Sequence, residues 1–406
     1  MIGVGIFTTP GIVYGYVPDA TVVLFLWAGG GLYAFVGAHA YAQLAVKYPS
    51  SGGEYLFISK VIHPFLGFLS GWASLIAGFS GAIAASAVGA VFYLNKIVGL
   101  GSIGDSIAIL FIGLITIVQV TSIKGSALLN RYLTLIVVVI VLIIGLVGVF
   151  GNPISILPSS EKMEFSLILS AFIPILFTYS GWNAAVYLAE EIKDPERNIR
   201  KALLGGTVVV ITVYLLLNFL YLSFIPGDLM SGQIEIGHQL ATVILGEKGA
   251  VLIDVFIILA LLSSVSAMIM AGPRVYFAMS RDGYFPSMFK KIHSRFNTPL
   301  IAIVIQSVWS IVLVLTGTFE SILMYTGFAL ILFSMIAVLS AVILINDGEI
   351  DSTFGWIFAY LLFILISVAI LINSFVAFLT STLIGLAIIL AGGFIYWFYH
   401  PKRVKS

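Results

Sequence analysis

What most constrains this chain is a succession of apolar runs, each about 20 residues long and nearly free of charge, the length that crosses a hydrocarbon core as a helix. The runs fall at about 20–46, 64–94, 103–123, 132–150, 165–190, 202–224, 250–277, 299–316, 321–345, 354–374 and 380–399. A shorter apolar piece at Gly5–Tyr16 precedes them, so the spans number eleven and a fragment. Only 9% of the 406 residues are charged and 60% are hydrophobic, whereas a soluble domain carries roughly 25% charged residues to cover itself in water. The solvent of this chain is therefore largely lipid, and one transmembrane domain over residues 1–406 is expected. The alternation of polar and apolar positions that marks a membrane barrel is missing, which leaves an all-α polytopic fold. A net charge of +1 makes no case for a nucleic-acid partner. The lack of Cys excludes disulfides and thiolate metal sites. No basic segment followed by a short apolar run and a cleavage site opens the chain, so no signal peptide is expected.

Orientation follows from Lys and Arg. One set of loops holds Lys47, Lys60, Lys124, Arg131, Lys193, Arg197, Arg200, Lys201, Arg274, Arg281, Lys290, Lys291, Arg295, Lys402, Arg403 and Lys405; the other holds Lys96, Lys162 and Lys248. Sixteen against three places the first set, and with it the C-terminus, on the cytoplasmic side of a cell membrane. The breaks between spans are polar or carry Pro and Gly, as in Tyr48-Pro49-Ser50-Ser51-Gly52-Gly53, Gly151-Asn152-Pro153, Pro226-Gly227-Asp228 and Asn346-Asp347-Gly348.

Two spans do not read as continuous helix. Span 1 contains Gly3-Val4-Gly5-Ile6-Phe7-Thr8-Thr9-Pro10-Gly11, and span 6 runs Pro174-Ile175-Leu176-Phe177-Thr178-Tyr179-Ser180-Gly181-Trp182-Asn183. Gly weakens a helix and Pro removes a donor, so each offers a place to unwind. Unwound backbone at membrane depth survives only where protein or a water-filled cavity satisfies it. Interrupted spans at the first positions of two five-span sets point to a transporter site between inverted repeats. The half-helix after Gly5 presents free N–H groups and a positive dipole end, suited to a carboxylate. The outer half of span 6 ends near Phe177–Tyr179 with free carbonyls, suited to an ammonium. Together they describe a zwitterion site. Glycines that serve only close helix packing are the alternative, and for Gly67-x-x-x-Gly71 in span 3 packing is the expectation.

At these residues the sequence resembles the amino acid–polyamine–organocation superfamily, and within it the L-type amino acid transporter-like branch. The matching strings are Gly3-Val4-Gly5-Ile6-Phe7, Tyr48-Pro49-Ser50-Ser51-Gly52-Gly53-Glu54-Tyr55 and Phe177-Thr178-Tyr179-Ser180-Gly181-Trp182-Asn183. They continue with Ala189-Glu190-Glu191-Ile192-Lys193-Asp194-Pro195-Glu196-Arg197-Asn198-Ile199 and Gly272-Pro273-Arg274-Val275-Tyr276-Phe277-Ala278-Met279-Ser280-Arg281-Asp282-Gly283. The resemblance implies a leucine-transporter-type fold of two inverted five-helix repeats plus two helices, and import or exchange of amino acids by alternating access. It implies that Gly3, Val4 and Gly5 offer backbone to the substrate carboxylate. Phe177, Thr178 and Ser180 would accept the amine through carbonyls, Tyr179 and Trp182 would gate or shape the pocket, and Asn183 would line it. A related amine or polyamine is the alternative substrate, with a neutral amino acid preferred because no acidic residue stands out in spans 3 or 10.

Two departures from the family pattern carry expectations of their own. Relatives have a half-helix before the glycine motif, whereas this chain starts within that motif at Met1. A fold lacking the first half of span 1 is therefore expected, explained by an upstream start codon or, alternatively, by a truncated, non-transporting chain. Many relatives also carry a Lys in span 5 whose ammonium replaces a coupling sodium. The aligned position here is Val137, and no Lys or Arg occurs from Tyr132 to Phe150, which argues against lysine-based proton coupling or exchange. Ser263 and Ser264 in span 8 could instead ligate Na⁺ with span 1 carbonyls, against the plainer role of bonding to helix backbone. The coupling ion is thus Na⁺ or H⁺, no other cofactor is expected, and oligomeric state is left open.

Several other residues invite a role. His39, near Tyr33 and Tyr41, reads as a packed, hydrogen-bonded histidine, and Asp254 as a residue near the outer end of span 8, interfacial or on a pathway. Glu190 and Glu191 precede Lys193, Arg197 and Arg200, which suggests a surface network or, more pointedly, an inner gate pairing one Glu with Arg274. Gly99-Leu100-Gly101-Ser102-Ile103-Gly104 has dinucleotide-fingerprint spacing, but no strand precedes it, so it is a loop. Among rival functions, an embedded enzyme lacks an HExxH or Gly-x-Ser-x-Gly string and any cluster of catalytic side chains within the spans. A channel lacks a filter or a charged ring.

Overall fold

Helix boundaries in the computed structural model, which describes residues 2–121, 132, 135, 138–139 and 163–399, follow from local chemistry. Helix α1 (Val4–Tyr16) starts on the extended Gly3. Helix α2 (Ala20–Lys47) is capped by Asp19, whose carboxylate accepts the Val22 N–H at 2.9 Å. Then come α3 (Glu54–Val61) and α4 (Pro64–Ala73), the latter with Pro64 in its first turn and His63 Nδ1 accepting the Phe65 N–H. A π-helical turn, Ser74–Phe79, joins α4 to α5 (Ser80–Val98), which ends on left-handed Gly99. Helix α6 (Gly104–Thr121) follows. Beyond the undescribed stretch lie α7 (Phe165–Tyr179), the short α8 (Ala184–Tyr187), α9 (Pro195–Phe224), the one-turn α10 (Gly227–Met230) and α11 (Ile236–Arg281). The chain closes with α12 (Leu300–Thr316), α13 (Phe319–Asn346), α14 (Phe354–Ala377) and α15 (Leu379–Tyr399). A reciprocal Thr318–Ser321 capping box starts α13.

Several spans differ from their sequence outline. Span 3 is α4, the π turn and α5 rather than one plain helix. Span 6 stops being helical at Tyr179, with a four-residue break before α8. Span 7 begins at Pro195, because Asp194 in a left-handed turn and Pro195 in the first helical position start the helix early. The stretch after Pro226 is largely helical, and α11 is two helices meeting at Gly246, whose φ of 71° breaks the run. Span 5 lies outside the described residues apart from 132, 135 and 138–139, and so does Val137.

Among the described residues, eight helices are long and apolar enough to cross a membrane, α7 and α12 are shorter apolar helices, and no strand occurs. Large apolar side chains face outward: Phe25, Phe354, Val376 and Trp397 are each more than 70% exposed. Polar ones such as Thr8, Asn218, Gln306 and Ser310 are fully buried. A water-soluble protein does the reverse, whereas a lipid-facing one must turn polar groups inward to find partners. The protein is an all-α polytopic membrane protein.

Polar side chains inside serve as interhelical ties. Gln119 on α6 donates Nε2 to the Ser266 hydroxyl on α11 at 2.6 Å, and Tyr33 on α2 meets Ser367 on α14 at 2.8 Å. His39 stacks on Trp356 with ring centroids 3.5 Å apart and bonds Tyr360 at 2.6 Å, a packed histidine with partners on α14 rather than Tyr33 or Tyr41. Gly67 packs against Ser59 and Gly71 against Met279, the close-packing role expected of that pair.

Helix α1 is held from above by the 226–240 stretch. Gly232 donates its N–H to the Gly11 carbonyl at 2.9 Å. A Cβ on Gly11 would overlap the backbone of Gln233 and come within 2.7 Å of the Met230 carbonyl oxygen. Backbone cannot give way as a side-chain end can, so Gly11→Ala is expected to cost about 1–3 kcal/mol. Thermal unfolding in detergent should show a lower midpoint for Gly11→Ala than for Gly113→Ala, where an added Cβ meets nothing within 4 Å.

Candidate functional site

The site begins with carbonyls that proline leaves without donors. Pro10 has no N–H to give the Ile6 carbonyl, and the Tyr221 hydroxyl from α9 donates to it instead at 3.3 Å. One residue on, the Phe7 carbonyl accepts the Tyr93 hydroxyl from α5 at 2.5 Å, and Tyr93 in turn accepts the Gly237 N–H at 3.2 Å. Helix α1 is therefore fixed along its length, while its first turn at Val4, Gly5 and Ile6 keeps the orphan N–H groups of any helix start. That turn lies against α7. Thr9 and Thr178 share a hydrogen bond of 2.7 Å between their hydroxyls, and a Cβ on Gly5 would overlap Thr178. The glycine at position 5 is thus what lets the two interrupted spans touch.

Span 6 breaks over residues 180–183, where Gly181 has a φ of 89°. The break changes the expected sharing of carbonyls. The Phe177 carbonyl accepts the Ser180 N–H at 3.0 Å, and the Thr178 carbonyl accepts the Tyr214 hydroxyl at 3.2 Å. Each keeps one lone pair. The Ser180 carbonyl receives no backbone donor among the described residues, so it has the larger capacity to accept an ammonium. Tyr179 departs from its expected place on the pocket wall. Its ring packs between Trp27 and Tyr214, and its hydroxyl donates to the Trp27 carbonyl at 3.1 Å. The helical turn carries it away from the cavity while its neighbours Thr178 and Ser180 face inward.

Those neighbours line a cavity of about 530 Å³ at the heart of the helices, within the size range of small-molecule sites. Gly3, Val4, Gly5, Phe177, Thr178, Ser180, Trp182 and Asn183 form one wall. Ser263 and Ser264 of α11 line the cavity beside this wall, and a Cβ on Gly3 would stand 2.8 Å from the Ser264 hydroxyl. The π turn of span 3 supplies a further wall through Ser74, Gly78 and Phe79. Its loosened carbonyls are taken by side chains from other helices: Ser74 by Tyr276 at 3.3 Å, Ile76 by Trp309 at 2.8 Å and Ala77 by Thr326 at 3.1 Å. Sequence reasoning missed this turn. It also missed Glu54, the one Asp, Glu, Lys, Arg or His among the described lining residues. The signal was present: a Glu between Gly52-Gly53 and the apolar Tyr55-Leu56-Phe57-Ile58.

A helix start and a helix break that meet beside one largely apolar cavity with a few convergent polar groups suit a small-molecule carrier, and comparison with known proteins agrees. The sequence profile described as "Amino acid permease" matches residues 1–398. The chain belongs to the amino acid permease family. It is similar to the "Serine/threonine exchanger SteT" of Bacillus subtilis (strain 168), at 27% identity over 357 residues, covering 85% of this chain and 80% of that protein. It is also 25% identical over 369 residues to the "Large neutral amino acids transporter small subunit 2" of Homo sapiens, covering 85% and 67%. With the "b(0,+)-type amino acid transporter 1" of Rattus norvegicus, identity is 27% over 360 residues, covering 85% and 73%. Amino acid transport across a membrane is the activity this permease shares with its family.

Away from the cavity, on the Lys/Arg-rich face, the permease brings its acidic pair to α11. Arg274 Nε lies 3.0 Å from Glu191 Oε1, and its guanidinium also donates to the Met270 carbonyl. Glu190 pairs with Arg281 at 2.9 Å, not with the Lys193, Arg197 and Arg200 that follow it. Asp254 is fully buried rather than interfacial, because His238 from the first part of α11 folds over it at 2.7 Å. Residues 99–104 form a loop with a short 3₁₀ turn.

The Glu191 carboxylate is half exposed, and such pairs contribute about 0–1 kcal/mol to stability. Glu191→Gln should therefore leave the unfolding midpoint almost unchanged. If the pair acts in transport, the exchange Glu191→Arg with Arg274→Glu should recover uptake that either single change loses. A double-mutant cycle on uptake rates measures this coupling, and additive losses would remove the gate.

Proposed function

We propose that this permease carries a small neutral amino acid by alternating access, binding it as a zwitterion between the first turn of α1 and the break after α7. The observation that carries the reading is the contact between the start of α1 and the end of α7 beside one cavity, with complementary free groups. N–H groups at the start of α1 suit the carboxylate, and the Ser180 carbonyl, with the remaining lone pairs of Phe177 and Thr178, suits the ammonium. Asn183 and Trp182 would bound the space on the far side of the break. The named relatives, a serine/threonine exchanger and a transporter of large neutral amino acids, support a neutral side chain and an exchange mode. On this reading the Lys/Arg-rich face is cytoplasmic and the membrane is the cell membrane, and the Glu191–Arg274 pair is an inner gate. Ser263 and Ser264 beside Gly3 would offer oxygen ligands to a coupling Na⁺, which prefers them.

Reconstitution in proteoliposomes tests the reading. Uptake of labelled serine or leucine is expected to saturate, to prefer one enantiomer and to accelerate when unlabelled amino acid is loaded inside. Flux that rises linearly with concentration would mean a channel. Competition by an amine lacking the carboxylate, as strong as by the amino acid, would reject the zwitterion site in favour of an amine or polyamine carrier.

A further inference from the structure

Glu54 is a charged side chain that the zwitterion site does not use. It starts the eight-residue α3, which is not one of the spans, is only 6% exposed and yet reaches the cavity wall. Tyr41 of α2 donates its hydroxyl to Oε1 at 2.9 Å, and Asn183 donates Nδ2 to the same oxygen at 2.5 Å. Tyr187 of α8 donates to Oε2 at 2.7 Å, and Asn183 closes the ring with a bond to the Tyr187 oxygen at 2.8 Å. All of these donors are neutral. Among the described residues no ion pair includes Glu54.

The surrounding charges are committed elsewhere. Helix α11 presents Arg274, paired with Glu191, and Arg281, paired with Glu190 and near Asp282, together with Tyr276. Tyr55, next along α3, donates to Asp282 at 2.8 Å. Helices α4 and α13, which also pack on α3, carry no Asp, Glu, Lys, Arg or His over 64–73 and 321–346. A buried carboxylate with no cation is disfavoured, and hydrogen bonds to neutral donors offset only part of the cost. Burial accordingly pushes the Glu54 carboxyl up, against the downward pull of Tyr187, Tyr41 and Asn183. A proton arriving through the cavity removes the charge.

What the donors are attached to gives that proton a mechanical consequence. Asn183 ends the break in span 6 and Tyr187 belongs to α8 just beyond it, while Tyr41 belongs to α2. A second tie runs parallel: the Ser51 N–H reaches Glu190 Oε1 and the Glu190 N–H reaches the Ser51 hydroxyl, both at 3.2 Å. Gly53 permits the approach, since its φ is 56° and a Cβ would overlap the Tyr187 ring. An ionised carboxylate only accepts, which suits three donors. Once protonated, one oxygen becomes a donor and the accepted bonds lose their charge assistance, so all three weaken and the one at the protonated oxygen is set to turn round.

We propose that Glu54 is a proton-binding site of the transport cycle, holding the inner part of span 6 to the α2–α3 connection when ionised and releasing it when protonated. The inference rests on the carrier reading above, in which that part of span 6 moves. No covalent bond changes: a proton from cavity water binds a carboxylate oxygen and later returns to water.

The test uses wild type, Glu54→Gln and Tyr187→Phe in proteoliposomes at one fixed Na⁺ concentration, with amino acid uptake measured between pH about 5 and about 8. Wild-type uptake is expected to change about fivefold or more over that range, and Glu54→Gln to flatten the profile to less than about twofold. Tyr187→Phe takes away a donor that favours the charged form, so its midpoint should move to higher pH with the slope retained. Infrared difference spectra, acid minus neutral, read the proton without transport: the protonated-carboxyl band should shrink in Glu54→Gln. A chain that carries nothing while still showing that loss would overturn the carrier reading and keep the proton site. An unchanged pH profile, or an unchanged infrared band, in Glu54→Gln overturns the site. So does a profile that stays intact while only competition by lysine or arginine changes, which would assign Glu54 to the substrate side chain. Should Glu54→Gln fail to fold, Tyr187→Phe decides, and an unmoved midpoint there overturns the proposal.

Discussion

At membrane depth each backbone N–H and carbonyl must find a partner inside the protein, and the centre of this permease is organised by that demand. Where proline or a loosened turn removes a helical bond, a side chain from a distant helix replaces it. Tyr221 serves Ile6 and Tyr214 serves Thr178, while Tyr93 braces the Phe7 carbonyl beside them. Tyr276, Trp309 and Thr326 serve the π turn of span 3. These donors are long aromatic side chains or hydroxyls, so each also packs apolar surface around the cavity. The groups left over, the first N–H groups of α1 and the Ser180 carbonyl, are then the ones a small polar solute can satisfy. The same constraint that forbids open backbone elsewhere thus selects where a substrate can sit.

The parts of this arrangement that depend on local sequence were legible in advance. Apolar run length marked the spans and Gly181 marked the break in span 6, because both effects act within a few residues, whereas Pro10, Gly11 and Pro174 lie inside unbroken helix. The pairing of Arg274 with one of two adjacent glutamates was one of two expectations, the other being a surface network with the nearer Lys193, Arg197 and Arg200, and only the packing of α11 decides between them. The π turn was not legible. Nothing in Ser74-Leu75-Ile76-Ala77-Gly78-Phe79 demands a wide turn, and the donors that stabilise it lie 202, 233 and 249 residues away in sequence. Tyr179 shows the same limit. Its neighbours reach the cavity, but one residue amounts to about 100° of helix rotation, and only the packed positions of Trp27 and Tyr214 decide which way it turns.

Glu54 fits neither group. A Glu in the first turn of a short helix usually faces water, where it favours the helix dipole. Here the Gly52-Gly53 turn brings the chain up against Tyr187 and points that first turn inward, so an ordinary helix-start residue becomes a buried acid. Its surroundings, two tyrosines and an asparagine, come from α2 and from the end of the span 6 break with α8, two distant parts of the sequence. The glycines that made the approach possible were visible, but the direction of the turn was not.

These contacts also rank the forces that hold the inner part of span 6. The Glu190–Arg281 pair has both partners about 40% exposed, and Glu191 is half exposed in its pair with Arg274. Such pairs are worth about 0–1 kcal/mol each and weaken with salt. Hydrogen bonds to a buried charged group are worth about 1.5–3 kcal/mol each, and Glu54 accepts several. Removing these donors while the charge stays buried therefore costs more than breaking a surface pair, although the surface pairs are the more conspicuous. Surface ion pairs can set the angle at which the segment docks, but its release depends on how the charge on one carboxyl is removed. That places control of this segment beside the central cavity, within reach of whatever the cavity admits, rather than among the exposed ion pairs.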